Sequence, residues 1–133
     1  MQVPIRILIA DDHAAFRGML QSMLGKLGAE VVECCDGREA VERFHQFSPD
    51  WVLMDIEMPG LDGLAATAQI IAASPHARVL ILTQHDGEDW RQAAREAGAC
   101  DFLAKDKLVL LPAMLSPKNN ESNNSPNKDK YSL

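Results

Sequence analysis

The sequence predicts an α/β protein with a single doubly wound sheet of five parallel strands and helices on both faces. Five short apolar runs recur along the chain, and helix-like stretches lie between them. The first, third and fourth runs are almost continuous in Val, Ile and Leu, which is typical of strands buried on both faces. Because strand and helix alternate at this spacing, the pattern indicates parallel βαβ units with right-handed crossovers.

The predicted strands matter mainly for the residues at their carboxyl ends. They are IRILIA (5–10), AEVVECC (29–35), WVLMD (51–55), RVLILT (78–83) and CDFLA (100–104). In open parallel sheets, ligands bind outside the carboxyl ends of the strands, at the point where the strand order reverses. Residues at the ends of these runs are therefore the first candidates for function.

The predicted helices lie at 13–27, 36–47, 61–73 and 87–98. The second begins with Asp36, a residue type that favours the N-cap, and Gly98 is a predicted stop for the fourth. The first carries apolar residues at helical spacing, namely Phe16, Leu20, Met23, Leu24 and Leu27. Leu27 is thereby expected on the core face.

Composition narrows the class of protein. A chain of 133 residues suits one domain, expected over 1–115, followed by a polar tail at 116–133 that we expect to be disordered. The net charge of −6 argues against a general nucleic-acid binder and suits a cation site.

Three cysteines, two of them adjacent, do not form a disulfide framework. With no signal peptide or membrane span apparent, we expect a soluble cytoplasmic protein without membrane contact.

Polar residues of a particular kind stand at the ends of four of the predicted strands. Asp11 and Asp12 end the first, Asp55 ends the third, Thr83 ends the fourth, and Lys105 comes just after the fifth. Any one of them alone has an ordinary explanation as a turn, cap or solvated residue. Because the carboxyl ends of parallel strands share one edge, three acids, a hydroxyl and an ammonium group are expected to converge there.

This set has a coherent chemistry. Carboxylate oxygens suit Mg²⁺, and an ionised aspartate can attack phosphorus to form an aspartyl phosphate. Phosphoryl transfer also needs its developing charge neutralised, which a metal ion, a lysine and a hydroxyl can do. We therefore predict that Asp11 and Asp12 bind a metal ion, which offsets the repulsion between their negative charges.

Four stretches resemble the receiver domain of bacterial two-component response regulators. They are ILIADDH (7–13), VLMDIEMPGLDGL (52–64), VLILT (79–83) and AGACDFLAKD (97–106). The resemblance covers about 5–106 and is closest to the subfamily whose receivers precede a DNA-binding helix-turn-helix. It implies a flavodoxin-like sheet of strand order 2-1-3-4-5. It also implies a signalling switch that receives phosphate from a sensor histidine kinase or phosphotransfer protein, rather than a turnover enzyme.

The resemblance also implies a role for each site residue. Asp55 would be the phosphorylated residue, while Thr83 and Lys105 would hold the phosphoryl oxygens. Phe102 falls where the family has its switch aromatic. The implied Mg²⁺ ligands, besides Asp55, are Asp12 directly, Asp11 mainly through water, and the backbone carbonyl of Glu57.

The end of the chain departs from the family. The segment after Lys105 is apolar nearly all round and contains Pro112, so we expect the last helix to be short or displaced. No helix-turn-helix is present, so specific DNA binding by this chain alone is not expected, and homodimerisation stays open. A phosphorylation-independent binding module or phosphate sink is the main alternative. A phosphatase of the haloacid-dehalogenase type fits less well, because there the acid pair comes last.

Other residues have less specific interpretations. His13 is expected to begin the first helix and face solvent rather than bind metal, because Mg²⁺ prefers oxygen. His85 and Glu57 flank the site. Either they tune the lifetime of the phosphoryl group or they are simply exposed loop residues. The remaining expectations are Cys34 and Cys35 as buried strand residues, Trp51 as partial core and Trp90 on a helix surface.

Overall fold

The computed structural model describes residues 3–115, in which strands and helices alternate along the chain. The strands are β1 (Arg6–Ala10), β2 (Glu30–Cys34), β3 (Trp51–Met54), β4 (Val79–Thr83) and β5 (Asp101–Ala104). The helices are α1 (Ala14–Lys26), α2 (Gly37–Phe47), α3 (Gly63–Ala73), α4 (Glu88–Ala97) and α5 (Leu111–Met114), with a 3₁₀ helix at Lys105–Leu110. The predicted tail, 116–133, lies outside the described residues.

All strand pairs are parallel, and the strand order is β2-β1-β3-β4-β5. The predicted doubly wound sheet is confirmed. The register places Ala10 opposite Met54 and Thr83 opposite Ala104. Consequently the residues that come after β1, β3 and β5 leave the sheet at the same edge.

Each face of the sheet has its own apolar cluster, because successive strand residues point to opposite sides. Leu8 packs with α2, α3 and α4 residues on one face. Its neighbours Ile7 and Ile9 pack with Leu20 of α1 and Leu111 of α5 on the other. The two-sided burial explains why the central strands are continuous apolar runs.

Local sequence features start and stop the helices as expected. The side chain of Asp36 accepts a hydrogen bond from the Glu39 backbone N–H at 2.8 Å, which caps α2. Gly98 ends α4 in the left-handed region with a φ of 102°. At the start of α3, a Cβ on Gly63 would lie only 1.8 Å from the carbonyl oxygen of Asp55. Only glycine lets α3 begin this close to the residue that comes after β3.

The last segment is short, as the sequence predicted. After the 3₁₀ helix, in which Lys107 has non-helical dihedral angles, α5 makes a single turn with Pro112 near its start. Leu111 is fully buried, whereas Val109 is 86% exposed. Helix α5 therefore anchors to the α1 face mainly through Leu111, with Met114 partly buried against the same cluster, and the neighbouring Val109 stays in solvent.

Two expectations about burial were wrong. Leu27 is 57% exposed because α1 ends at Lys26 and Gly28, at a φ of 85°, turns the chain. Cys35 is exposed because β2 ends at Cys34, which is buried as expected, and Cys35 begins the loop to α2. Within 3–115, no helix has both the length and the apolar character that a bilayer crossing requires.

Candidate functional site

The predicted acids converge at the carboxyl edge of the sheet. The side chains of Asp11 and Asp55 are only 3% and 6% exposed, whereas that of Asp12 is 36% exposed. One ligand atom from each of these acids and one from His13 lie within 4.8 Å of one another. The strand register alone brings these carboxylates together, because they come directly after the adjacent strands β1 and β3.

Lys105 lies among the buried acids. Its Nζ is 2.8 Å from Oδ2 of Asp11 and 3.4 Å from Oδ2 of Asp55, and its side chain is only 10% exposed. The same ammonium group lies 4.2 Å from the centre of the Phe16 ring. The sequence predicted a metal ion as the cation that lets the acids coexist, and the structure shows that Lys105 supplies part of that positive charge.

Asp55 is an unusual carboxyl group. Burial raises its pKa, the negative charge of Asp11 raises it further, and Lys105 offsets only part of the rise. Its Oδ1 accepts a hydrogen bond from the Ile56 backbone N–H at 2.8 Å, which fixes the orientation of the carboxylate. A cation beside Asp55 would lower this pKa, because an opposite charge favours the ionised carboxylate.

The donor set fits a magnesium ion. Mg²⁺ is a hard cation that binds carboxylate and carbonyl oxygens and retains water. Asp11, Asp12 and Asp55 provide such oxygens within one small volume. A divalent cation there would supply the charge that the burial of Asp55 demands.

The position and contacts of His13 agree only in part with the prediction. It lies at the N-cap position where α1 begins, as predicted, without a side-chain capping hydrogen bond, but its ring does not simply face solvent. Its Nδ1 lies 3.2 Å from an oxygen of Asp11 and 3.3 Å from one of Asp12, while the side chain is still 58% exposed. The ring therefore covers the outer side of the acid pair.

Arg17 supports the acid pair from α1, a contact that the sequence did not predict. Its Nη1 donates to the backbone carbonyl of Asp11 at 2.7 Å, and its Nε donates to Glu33 at 3.1 Å. No local pattern identifies such a residue, because its partners lie on two different strand ends.

Thr83 and Phe102 occupy different places. Thr83 is 1% exposed at the end of β4, and its Oγ1 accepts a hydrogen bond from the His85 backbone N–H at 3.3 Å. Phe102 lies on β5, half-buried, with the Arg91 guanidinium 4.7 Å from its ring centre. Thr83 is thus at the acidic edge, whereas Phe102 belongs to the surface between α4 and β5.

Three side chains from separate segments make contact above the edge. Nε2 of His85 lies 3.0 Å from Oε2 of Glu57, at ion-pair distance but without hydrogen-bond geometry. The His85 ring stacks on Trp90, with ring centres 4.4 Å apart and planes at 17°. Trp90 is therefore half-buried against a site residue rather than simply on a helix surface, while Trp51 is core at 4% exposure.

An open groove of about 670 Å³ lies beside these residues. Asp12 and Glu57 line it together with Met58 and Trp90. Of the three clustered acids, Asp12 is the one that lines this groove. Trp90 was not identified as a site residue from sequence, because its contact depends on how α4 packs against the loop after β4.

A sheet of order 2-1-3-4-5 with a buried acid cluster at its carboxyl edge defines a flavodoxin-like receiver protein. Residues 7–115 match the response regulator receiver domain, and the chain belongs to this family. Such domains serve two-component systems, in which phosphorylation is the signal. Membership removes the haloacid-dehalogenase alternative.

Two known proteins of similar sequence support this family assignment. The chain is 42% identical over 115 residues to the transcriptional regulatory protein PdtaR of Mycobacterium tuberculosis, covering 84% of this chain and 56% of PdtaR. It thus spans little more than half of that relative. It is 40% identical over 101 residues to the chemotaxis protein CheY of Thermotoga maritima, covering 75% of this chain and 84% of CheY.

One solved structure is a two-component response regulator of the LuxR family from Aurantimonas. It superposes with a TM-score of 0.77 at 32% identity, covering 85% of this chain and 86% of the other. The receiver domain of a NarL response regulator from Mycobacterium tuberculosis superposes with a TM-score of 0.74 at 33% identity. The match covers 79% of this chain and 86% of the other. The resemblance drawn from four short stretches is therefore confirmed at the level of family and fold.

Proposed function

We propose that this chain is a phospho-accepting receiver in which Asp55 takes a phosphoryl group from a sensor histidine kinase or phosphotransfer protein. The observation that supports this most directly is the buried Asp55 carboxylate, held beside Lys105 and a second buried acid. The step is Mg²⁺-dependent and switches a protein-interaction face. The chain assists its own phosphorylation but does not turn over external substrates.

The chemistry is an in-line displacement at phosphorus. An oxygen of Asp55 forms the new O–P bond while the P–N bond to the donor imidazole breaks, and the departing imidazole takes up a proton. The Ile56 N–H already orients Oδ1, while Lys105 faces Oδ2. Preorganised charges of this kind stabilise the transition state more than they could in water, because the side chains of Asp11, Asp55 and Lys105 are almost fully buried.

Magnesium would be held by Asp11, Asp12, Asp55 and the backbone carbonyl of Glu57. Bound there, the ion neutralises charge on the phosphoryl oxygens and on the carboxylates. The protein groups do the positioning: Arg17 braces the backbone of Asp11, and Lys105 lies ready to pair with a phosphoryl oxygen in place of a carboxylate.

Thr83 and Phe102 would convert the charge change into a shape change. Thr83 moves toward the phosphoryl group, and Phe102 takes the space that it leaves. This movement requires the hydroxyl to give up its bond from the His85 N–H. A local charge event thereby biases a two-state surface.

The short α5 favours the alternative, a binding module that works without phosphorylation or a phosphate sink. A four-residue final helix leaves Val109 exposed and alters the face built from β5 and the last helix. All of these functions keep the same fold. A phosphorylation-independent module would not be labelled at Asp55, whereas a phosphate sink would be labelled without a change in its binding to a partner protein.

The test is incubation with acetyl phosphate and Mg²⁺ and then intact-mass measurement. We expect the wild type to gain one phosphoryl group, Asp55→Asn to gain none, and the exposed Asp89→Asn to behave as wild type. Equal labelling of wild type and Asp55→Asn would remove Asp55 from the role. No labelling of the wild type would favour the phosphorylation-independent module.

A further inference from the structure

Arg91, in the first turns of α4, joins three neighbouring elements. Its guanidinium carbon lies 4.7 Å from the centre of the Phe102 ring on β5. Its Nη2 lies 3.3 Å from Oδ1 of Asp86 in the loop before α4. The side chain is about one-third exposed, so it covers the ring rather than being buried beneath it.

The surroundings of Phe102 favour this placement of the cation. The ring packs on the apolar cluster of the α2–α4 face, and its backbone N–H donates to Asp101 at 3.1 Å. Burial raises the pKa of the Asp101 carboxyl, while that N–H and the charge of Arg91 oppose the rise. Arg91 is thus attracted by two carboxylates and by the face of one aromatic ring.

We propose that Arg91 is a positioning residue that holds the Phe102 ring at the surface between α4 and β5 until phosphorylation releases it. The inference rests on the proposed function, because Phe102 gains an inner position only when Thr83 moves. To reach that position, the ring must leave the guanidinium group. Arg91 therefore stabilises the unphosphorylated state.

The start of α4 is also linked to the proposed phosphorylation site through His85. Trp90 precedes Arg91 and stacks on His85, whose N–H donates to Thr83. A shift of Thr83 breaks or weakens that hydrogen bond and loosens the stack, which frees the first turn of α4. The first turn of α4 thus contacts Phe102 directly and is linked to Thr83 through His85.

The expected effect is modest, because the contact is partly exposed. A cation over an aromatic ring at such a site changes an equilibrium by about two- to fivefold. A ligand that prefers the inward ring should bind more tightly by the same factor once the restraint is removed, provided that the outward state dominates.

The experiment measures binding of beryllofluoride, a mimic of the phosphoryl group on aspartate, by calorimetry of the full chain in saturating Mg²⁺. We expect Arg91→Ala to bind about two- to fivefold more tightly than wild type. Arg91→Lys keeps the charge but not the planar stack, and should fall between them. The matched control is Arg95→Ala, because Arg95 lies on the same helix but pairs with Glu88 at 2.6 Å; it should bind as wild type.

A double-mutant cycle separates this role from general stability. In a Phe102→Leu background, Arg91→Ala should no longer tighten binding, and the Phe102 ring resonances of the single variant should shift toward their beryllofluoride-bound positions. Unchanged or weaker binding by Arg91→Ala, with normal binding by wild type, would overturn the inference alone. Failure of the wild type to bind beryllofluoride would instead overturn the proposed function, and the inference with it.

Discussion

The acidic edge and the α4–β5 face are built from different interactions. The acidic edge, formed by Asp11, Asp55, Thr83 and Lys105, is buried, and its charged atoms lie 2.8 to 3.4 Å apart. The α4–β5 face, formed by Trp90, Arg91 and Phe102, is half-exposed, and its contacts are stacked groups 4.4 to 4.7 Å apart. The first region is held by strong opposing charges, and the second by weak contacts.

Because of this difference, one small domain could hold both the proposed phosphorylation site and the proposed switch. Buried charges are strongly disfavoured unless each is placed against a partner, so the acidic edge has little freedom. Partly exposed stacking contributes little, so two arrangements of the face can differ by a small free energy. If Asp55 is phosphorylated as proposed, we expect the added charge to shift the face without unfolding the edge.

The largest expected effect is at the backbone that supports the acidic edge. Gly63→Ala would place a Cβ 1.8 Å from the Asp55 carbonyl oxygen, which neither backbone can avoid without moving. We expect a loss of about 3 kcal/mol or more in the free energy of unfolding, measured by urea denaturation. Gly18→Ala is the matched control: its Cβ would meet open space within α1, so a gain of about 0.5–1 kcal/mol is expected. Similar stability for both variants would mean that the start of α3 is not confined.

Binding of Mg²⁺ is expected to have an intermediate effect on the stability of the fold. At about tenfold excess over its Kd, the ion should stabilise the fold by about 1.4 kcal/mol, or raise Tm by about 5 °C relative to EDTA. Asp12→Ala should reduce this shift, whereas Asp89→Asn, an exposed acid of α4, should retain it. Melts in which neither Mg²⁺ nor the Asp12 substitution matters would contradict the metal site and leave the balancing charge of the edge to Lys105.

The smallest effect on stability is expected from substitution of Asp101, which lies next to Phe102 at the α4–β5 face. Burial raises its folded-state pKa above 3.8, so ionisation of this group disfavours the folded state. Its stabilising contribution is present below that value and is lost as the pH rises through the folded-state pKa. Asp101→Asn should therefore raise Tm slightly at pH 7, and the gain should shrink as the pH falls toward 3.8.

Asp89→Asn, in the first turn of α4, provides the control for simple loss of charge. It should leave Tm unchanged or lower it, because a negative charge favours a helix N-terminus. A pH-independent gain in Asp101→Asn would show that burial of this carboxyl does not oppose folding.

The sequence alone determined the fold and the placement of most site residues. Continuous apolar runs identify strands buried on both faces, and the handedness of βαβ units leaves few sheet orders, so the acids after β1 and β3 had to share an edge. Asp36 and Gly98 acted through local backbone geometry, which needs no distant partner. The short α5 was predictable from Pro112 in the same way.

The tertiary structure alone decided which side chains meet. Lys105 lies between Asp11 and Asp55, Trp90 stacks on His85, and Arg91 covers Phe102, and none of these pairings can be derived from spacing along the chain. Each depends on helix orientation and side-chain rotamers, which are set by packing across the whole domain. Strand order brings groups to the same edge, but only packing determines which atoms come within contact distance.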